Sequence, residues 1–284
     1  MNKKNTVQAM QLPVDKLRPF EGHPFKVTDD AEMDQLVFSI LTQGLLIPIT
    51  ARPIGNDEYE VISGHRRLHA CQKAGIETVP ALIYALDRDA ATIAMVDSNL
   101  HREKILPSEK AFAYKLKMEA MSRQGQRTDL TSGQLGPKLT ASMIADSESV
   151  SQVKRYIRLT ELIPGILAMV DEGKIAFTPA VELSYLTKQE QRDLLETMES
   201  EDCTPSLSQA IQMKKLSQIG ELDIDCIFDI LREPKGNQID KISFRTEDLR
   251  KFFPKSYSAA RIQETIMKLL TDYYRKRQHS REER

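Results

Sequence analysis

The chain has 284 residues, 40% hydrophobic and 29% charged with no tryptophan, a globular composition long enough for two or three cores. No apolar run approaches the roughly 18 residues that a membrane span needs, and Cys71, Cys203 and Cys226 stand too far apart for a Cys-x-x-Cys site or a disulfide framework. The net charge of −1 hides an asymmetry: residues 101–160 carry eleven Lys/Arg against six Asp/Glu, and residues 171–233 six against fourteen, so only the first stretch suits a phosphate-bearing partner. Met1–Met10 is polar and lysine-bearing without the apolar stretch of a secretory signal, which predicts a cytoplasmic protein.

Taken in order, the first hundred residues alternate short helical and extended segments. Residues 30–43 place Met33, Leu36, Val37, Ile40 and Leu41 at helical spacing and stop at Gly44, suited to the left-handed turn after a helix. Residues 47–52 and 59–63 read as strands of a hairpin, with Gly55-Asn56-Asp57 as its turn. A helix over 65–74 ends at Gly75, a strand follows at 79–84, and a helix at about 89–100. Pro107-Ser108-Glu109 opens a further helix toward Gln124, proline being tolerated in the first turn. Residues 124–138 read as a polar loop, and short helices broken by Pro164, Gly173, Pro179 and Pro205 fill 139–217. A joint at 233–238 precedes a strand at 241–244 and a last helix from Ser258, with Ile262, Ile266, Leu269, Leu270 and Tyr273 on one side. That stripe fits either a local core or a matching stripe on a second copy, and Arg275-Lys276-Arg277 beyond it either phosphate contacts or a tail.

The most informative stretch is Tyr59–Ala70, where a strand runs into Ser63-Gly64 and a helix starts at once with Arg66 and Arg67 in its first turn. Helix starts favour acidic residues, because unpaired N–H groups leave about half a positive charge there. Two guanidiniums at that end fit an anion joining them, with glycine allowing close approach to the backbone; the alternative is that both pair with carboxylates such as Glu58 or Glu60. His65 and His69 have metal-compatible spacing but no third ligand nearby, so one is expected to meet a phosphate or cap a strand and the other to lie on the surface.

Ser63-Gly64-His65-Arg66-Arg67-Leu68-His69-Ala70 resembles the signature of ParB-type partition proteins, in which Gly-Glu-Arg-Arg and its helix bind the triphosphate of CTP. Gly44-Leu-Leu-Ile-Pro48 is similar to that family's glycine-to-proline turn, Ser98-Asn99-Leu100-His101-Arg102-Glu103 to its Glu-Asn-Leu-x-Arg-Glu segment, and Pro107-Ser-Glu109 to the start of its middle domain. The resemblance spans about residues 10–200 and implies Gly44, Ser63, Gly64, His65, Arg66, Arg67, Ser98 and Asn99 as nucleotide-binding residues. His65 and Ser98 stand where the family carries glutamates near the metal and phosphates, so CTP is expected with or without Mg²⁺ and at most weak hydrolysis. The His-Arg turn also resembles sulfiredoxin, but Gly64 occupies its reactive cysteine position.

Residues 140–164 read as two helices with a tight turn, the second capped by Ser149 with Val153, Ile157 and Leu159 inward. The family has its helix-turn-helix here, although the spacing from Ala145 to Val153 is about two residues short of the usual pattern. Ser149, Ser151, Gln152, Lys154, Arg155 and Arg158 are the DNA-contacting candidates, short polar groups for bases and Lys/Arg for phosphates; the other reading is a solvated amphipathic helix.

The expected fold class is α+β: a small α/β ParB/sulfiredoxin-like domain over 1–104, an all-α helix-turn-helix region over 105–232 and a C-terminal dimerisation region over 239–284. The resemblance implies a nucleoid- or plasmid-associated homodimer that binds a palindromic site on double-stranded DNA, gated by CTP, with a ParA-type ATPase as partner. Two other readings remain: a site-specific transcription regulator on the same scaffold, and a nucleotide-dependent kinase or phosphohydrolase.

Overall fold

The structure is a computed structural model that describes residues 7–102, 104–128, 148–233, 249, 251–254 and 256–282. The chain divides into two compact units, 1–233 and 234–284.

The first unit opens with β1 (Val7–Pro13), a 3-10 turn, β2 (Leu17–Arg18), α1 (Ala31–Gln43), β3 (Ile49–Gly55), β4 (Glu58–Ser63), α2 (His65–Lys73), β5 (Thr78–Tyr84) and α3 (Arg88–Leu100). The strands form one sheet in the order β1-β5-β3-β4-β2, with β1–β5 and β3–β4 antiparallel and β3–β5 and β2–β4 parallel. Asn56 and Asp57 both take positive φ, 52° and 58°, which suits a two-residue hairpin turn whose twist matches that of the flanking strands. Neighbouring strand residues point to opposite faces, so the buried pair Val61 and Ile62 divides between two cores. Val61 joins Leu12, Met33, Ile40, Leu68 and Val79 under α1 and α2, and Ile62 joins Phe20, Phe25, Met95 and Val96 with α3.

Several expectations change at the edges of elements. β1 and β2 were not evident in the sequence, because β1 is an edge strand with mostly exposed residues and no clean alternation. The strand expected from residue 47 starts at Ile49, leaving Ile47 66% exposed, and Leu41 is 59% exposed because the sheet covers a narrower face of α1 than the apolar stripe. The helix expected to stop near Gln124 continues to Thr128. The first helix of the helix-turn-helix, over 140–145, and the strand over 241–244 lie outside the described residues.

The rest of the first unit is helical: α4 (Pro107–Thr128), α5 (Val150–Arg158), α6 (Pro164–Asp171), α7 (Phe177–Leu183), α8 (Lys188–Ser200), α9 (Leu207–Ile219) and α10 (Ile224–Arg232), numbered among the described residues. Leu159, Ile166, Leu183, Leu194, Met213 and Ile227 form its core, and capping boxes from Thr187 and Ser206 start α8 and α9. α4 fastens this part to the sheet part. The Ser108 amide and hydroxyl donate to Asp171 at 2.9 and 2.5 Å, Glu109 accepts from the Lys26 amide at 2.7 Å, and Lys117 and Arg123 pair with Asp97 and Asp89 of α3 at 2.6 and 2.8 Å. In the second unit α11 (Ala259–Glu282) buries Ile262, half-buries Ile266 and leaves Leu269, Leu270, Tyr273 and Tyr274 exposed. No helix among the described residues is long and apolar enough to cross a membrane.

Candidate functional site

The helix starts around the sheet are not alike. Asp30 caps α1 by accepting from the Met33 amide at 2.8 Å, and Asp87 caps α3 by accepting from Ala90 at 2.8 Å. α2 has no side-chain cap and no acid in its first turn; its N-cap is Gly64 at φ 104°, a left-handed geometry that disfavours side chains. The first-turn amides are therefore left for another partner.

Arg67 folds back over this glycine, so that a Cβ added to Gly64 would lie 3.0 Å from its Nη2. Arg67 donates to the carbonyls of Ile47 and Pro48, both at 2.7 Å, and no carboxylate pairs with it among the described residues. Burial pulls its pKa down, the mark of a cation without a counter-charge. Arg66 behaves differently, donating to Asp30 at 3.1 Å and reaching Glu32 at 3.5 Å. The acids first considered for these arginines are engaged elsewhere: Glu58 with Arg18 at 2.6 Å, and Glu60 with Arg52 at 2.8 Å, Arg88 and the Glu21 amide. Burial tends to raise the Glu60 pKa, but these donors outweigh it and hold the carboxyl below its usual value.

His65 is buried, and its Nε2 accepts from the Phe20 amide at 3.3 Å, so the ring is neutral and fixes the loop after β2. Its pKa is pulled down to about 3, first by burial, then by His23, stacked at 3.8 Å, and by Arg102. His69 lies at the surface against Asp29 at 3.0 Å. Gly44 closes α1 at φ 75°, its amide donating to Ile40. Ser98 donates to the Met95 carbonyl at 2.9 Å, and buried Asn99 directs its amide at Met95 and the Ser98 hydroxyl, inside its own helix.

A cavity of about 590 Å³ opens between the ends of β4 and β5, α3 and α4. Thr50, Ser63, Asp97 and Ser98 give it a polar side, and Ile62, Leu86 and Ile93 an apolar one. This size and mixed lining suit a nucleotide-sized ligand, and Ser63 is the residue before Gly64. Asp97, Thr50 and Arg102 escaped the sequence reading. Arg102 sits in the segment already singled out, two residues beyond α3, which was the available signal. Its guanidinium lies 5.5 Å from the Phe25 ring centre with no hydrogen-bond or ion-pair partner among the described residues. Partial burial, opposed by Glu109 and reinforced by Arg66, pulls its pKa down.

On α5, Ser149 caps the helix by accepting from the Gln152 amide at 3.2 Å, with Val153 buried beneath. Ser151 and Lys154 are exposed. Gln152 accepts from Arg155 at 3.3 Å, Arg155 also donates to Thr178 at 3.0 Å, and Arg158 donates to the Ser184 carbonyl at 2.7 Å while lying over Tyr185. Tyr114, whose pKa burial and Glu148 both push up, packs beneath the helix beside Tyr156.

With this geometry in place, comparison with known proteins assigns the first part of the chain. Residues 1–100 match the family profile of the ParB N-terminal domain. Over those residues the chain is similar to a ParB N-terminal domain. Beyond it, a probable chromosome-partitioning protein ParB from Pseudomonas putida is 31% identical over 164 residues, 58% of this chain and 53% of that protein. A nucleoid occlusion protein from Bacillus cereus is 38% identical over 120 residues, 42% of this chain and 41% of the relative. The chain thus spans about half the length of the curated relatives it matches. Among solved structures, C-terminally truncated ParB from Caulobacter crescentus complexed to the centromeric parS site is 22% identical, covers 72% of this chain and 98% of that one, and has a TM-score of 0.43. The same protein complexed with CTP-gamma-S is 23% identical, at 68% and 99% coverage and a TM-score of 0.32. The architecture is a mixed α/β ParB N-terminal fold followed by a helical remainder.

Proposed function

We propose that this chain is a DNA-binding protein of the partition type whose ParB N-terminal domain binds CTP. The observation that carries the nucleotide part is the start of α2: an uncapped helix end in a ParB N-terminal domain, with Arg67 and Arg102 beside it and no carboxylate paired to either among the described residues. An anion of several charges is the ligand such an end favours. The adjoining cavity offers a polar and an apolar wall for a base and sugar. Gly44, Ser63, Gly64, Arg66, Arg67 and Ser98 would surround the ligand, and His65 and Asn99 would support it from within the fold.

DNA recognition is assigned to α5 and its surroundings, with Ser149, Ser151, Gln152 and Lys154 outermost and Arg155 and Arg158 bracing the helix against α7. The exposed stripe on α11 supports a homodimer, whose two-fold symmetry suits a palindromic site. A ParA-type ATPase is the partner this role implies. The similarity to nucleoid occlusion proteins supports a second reading, in which the same scaffold marks DNA sites without segregating a replicon. Sequencing DNA that co-purifies with the protein tests the core claim: enrichment of a discrete motif is expected, and unselective recovery rejects it. Calorimetry with the enriched fragment present then tests the nucleotide, with CTP expected to bind at least about tenfold tighter than ATP, a gap of about 1.4 kcal/mol.

A further inference from the structure

We propose that the cradle at the start of α2 takes its nucleotide as the metal-free triphosphate, with Arg67, Arg102 and the uncapped helix end supplying counter-charge in place of a divalent cation. This rests on the nucleotide-binding reading above and specifies which ionic form of the ligand the site accepts.

A hard cation such as Mg²⁺ needs oxygen ligands, ordinarily one or two carboxylates together with phosphates and water. Among the described residues, the carboxylates around the cradle are already committed. Asp30 and Glu32 face Arg66, and Glu60 accepts from Arg52, Arg88 and the Glu21 amide. Glu109 accepts from the amides of Lys26 and Leu106, at 2.7 and 3.1 Å. Asp97 lines the cavity, but the buried Lys117 ammonium holds it at 2.6 Å, so a cation there would meet a like charge. His65 follows the glycine and its Nε2 is occupied by the Phe20 amide. Among the described residues no three His, Cys, Asp or Glu side chains come together as a metal site. The donor set among the described residues does not fit Mg²⁺.

It does fit a bare polyphosphate. A triphosphate carries roughly four negative charges near neutral pH, its terminal phosphate ionising a second time near pH 6 as phosphate monoesters do. Arg67 and Arg102, which have no carboxylate partner among the described residues, together with about half a charge from the helix end offset more than half of it, while Arg66 is balanced by Asp30 and Glu32.

Calorimetry of the full chain with CTP, the enriched DNA present, in excess EDTA and again in millimolar Mg²⁺ tests this. Affinity is expected to be highest in EDTA and to fall about tenfold or more in millimolar Mg²⁺, which sequesters the free triphosphate, a gap of about 1.4 kcal/mol or more. A second readout follows the metal: adding protein to a Mn²⁺–CTP mixture should raise the electron paramagnetic resonance signal of free Mn²⁺ as the nucleotide is taken up without it. Arg102→Ala should weaken binding in EDTA about tenfold, the worth of a charge-assisted contact. Binding that is as tight or tighter in Mg²⁺ than in EDTA, a free-Mn²⁺ signal that does not rise, or an Arg102→Ala variant that binds normally in EDTA each overturns the proposal while leaving nucleotide binding intact. Absence of binding in both buffers overturns the nucleotide reading itself.

Discussion

The start of α2 and the second half of α5 both carry basic side chains that the sequence marks for an anionic partner, and the fold treats them in opposite ways. At α2, Arg67 is held only by carbonyls and Arg102 by no polar group among the described residues. At α5, Arg155 and Arg158 are bound to Thr178 and Ser184 and lie over Phe177 and Tyr185, while Lys154 is exposed. Basic residues on a helix therefore say little about what they bind. Whether a cation already has a partner decides whether it is available, and that is a property of the packing.

Substitutions can break or sharpen this contrast. The largest effect is expected from Arg67→Ala, which removes a charge-assisted contact of about 1.5–3 kcal/mol and should weaken CTP binding roughly 10- to 100-fold in calorimetry with little change in DNA affinity measured without nucleotide. Next, Gly64→Ala places a methyl group 3.0 Å from the Arg67 guanidinium in a left-handed backbone. It should reduce CTP affinity about tenfold and lower the melting temperature by a few degrees, through about 1–2 kcal/mol of strain. On α5 the contrast predicts a crossing of phenotypes. Lys154→Ala should weaken DNA binding several-fold in fluorescence anisotropy and leave the melting temperature unchanged, whereas Arg158→Ala should lower the melting temperature through loss of about 1–2 kcal/mol of internal bonding.

The smallest effect concerns pH. His65 has a folded pKa of about 3 against 6.5 for the free side chain, so between those values the unfolded chain holds a proton that the folded chain refuses, and stability falls as pH drops below about 6.5. Glu60, with a depressed folded value, contributes fully above its unfolded pKa and loses that contribution as pH falls through the folded one. His65→Gln should therefore flatten the decline in melting temperature between neutrality and pH 5 while leaving the steeper acid limb; an unchanged slope would rule out this role for the imidazole.

The sheet–helix alternation of residues 30–100 was legible because both α1 and α2 stop at a glycine, Gly44 and Gly75, and the hairpin turns through the Gly55-Asn56-Asp57 cluster. β1 was not, since Leu12 is the one buried residue along it, too little for an alternation to show. Within the site, a positive helix end was legible as a conflict between Arg66, Arg67 and the local electrostatics. The split between the two was hidden, because the partner of Arg66 comes from Asp30, thirty-six residues away, and Arg67 meets backbone carbonyls that no side-chain pattern reveals. Thr50 and Asp97 line the cavity only because distant strands and helices converge there.

Asp30 answers to three donors at once: the Met33 amide, the Thr28 hydroxyl and Arg66. If Arg66 swings away to grasp an incoming anion, two of those donors stay in place and the first turn of α1 keeps its anchor. The arm can thus be lent and recovered repeatedly without the neighbouring helix fraying, as a reversible grip requires.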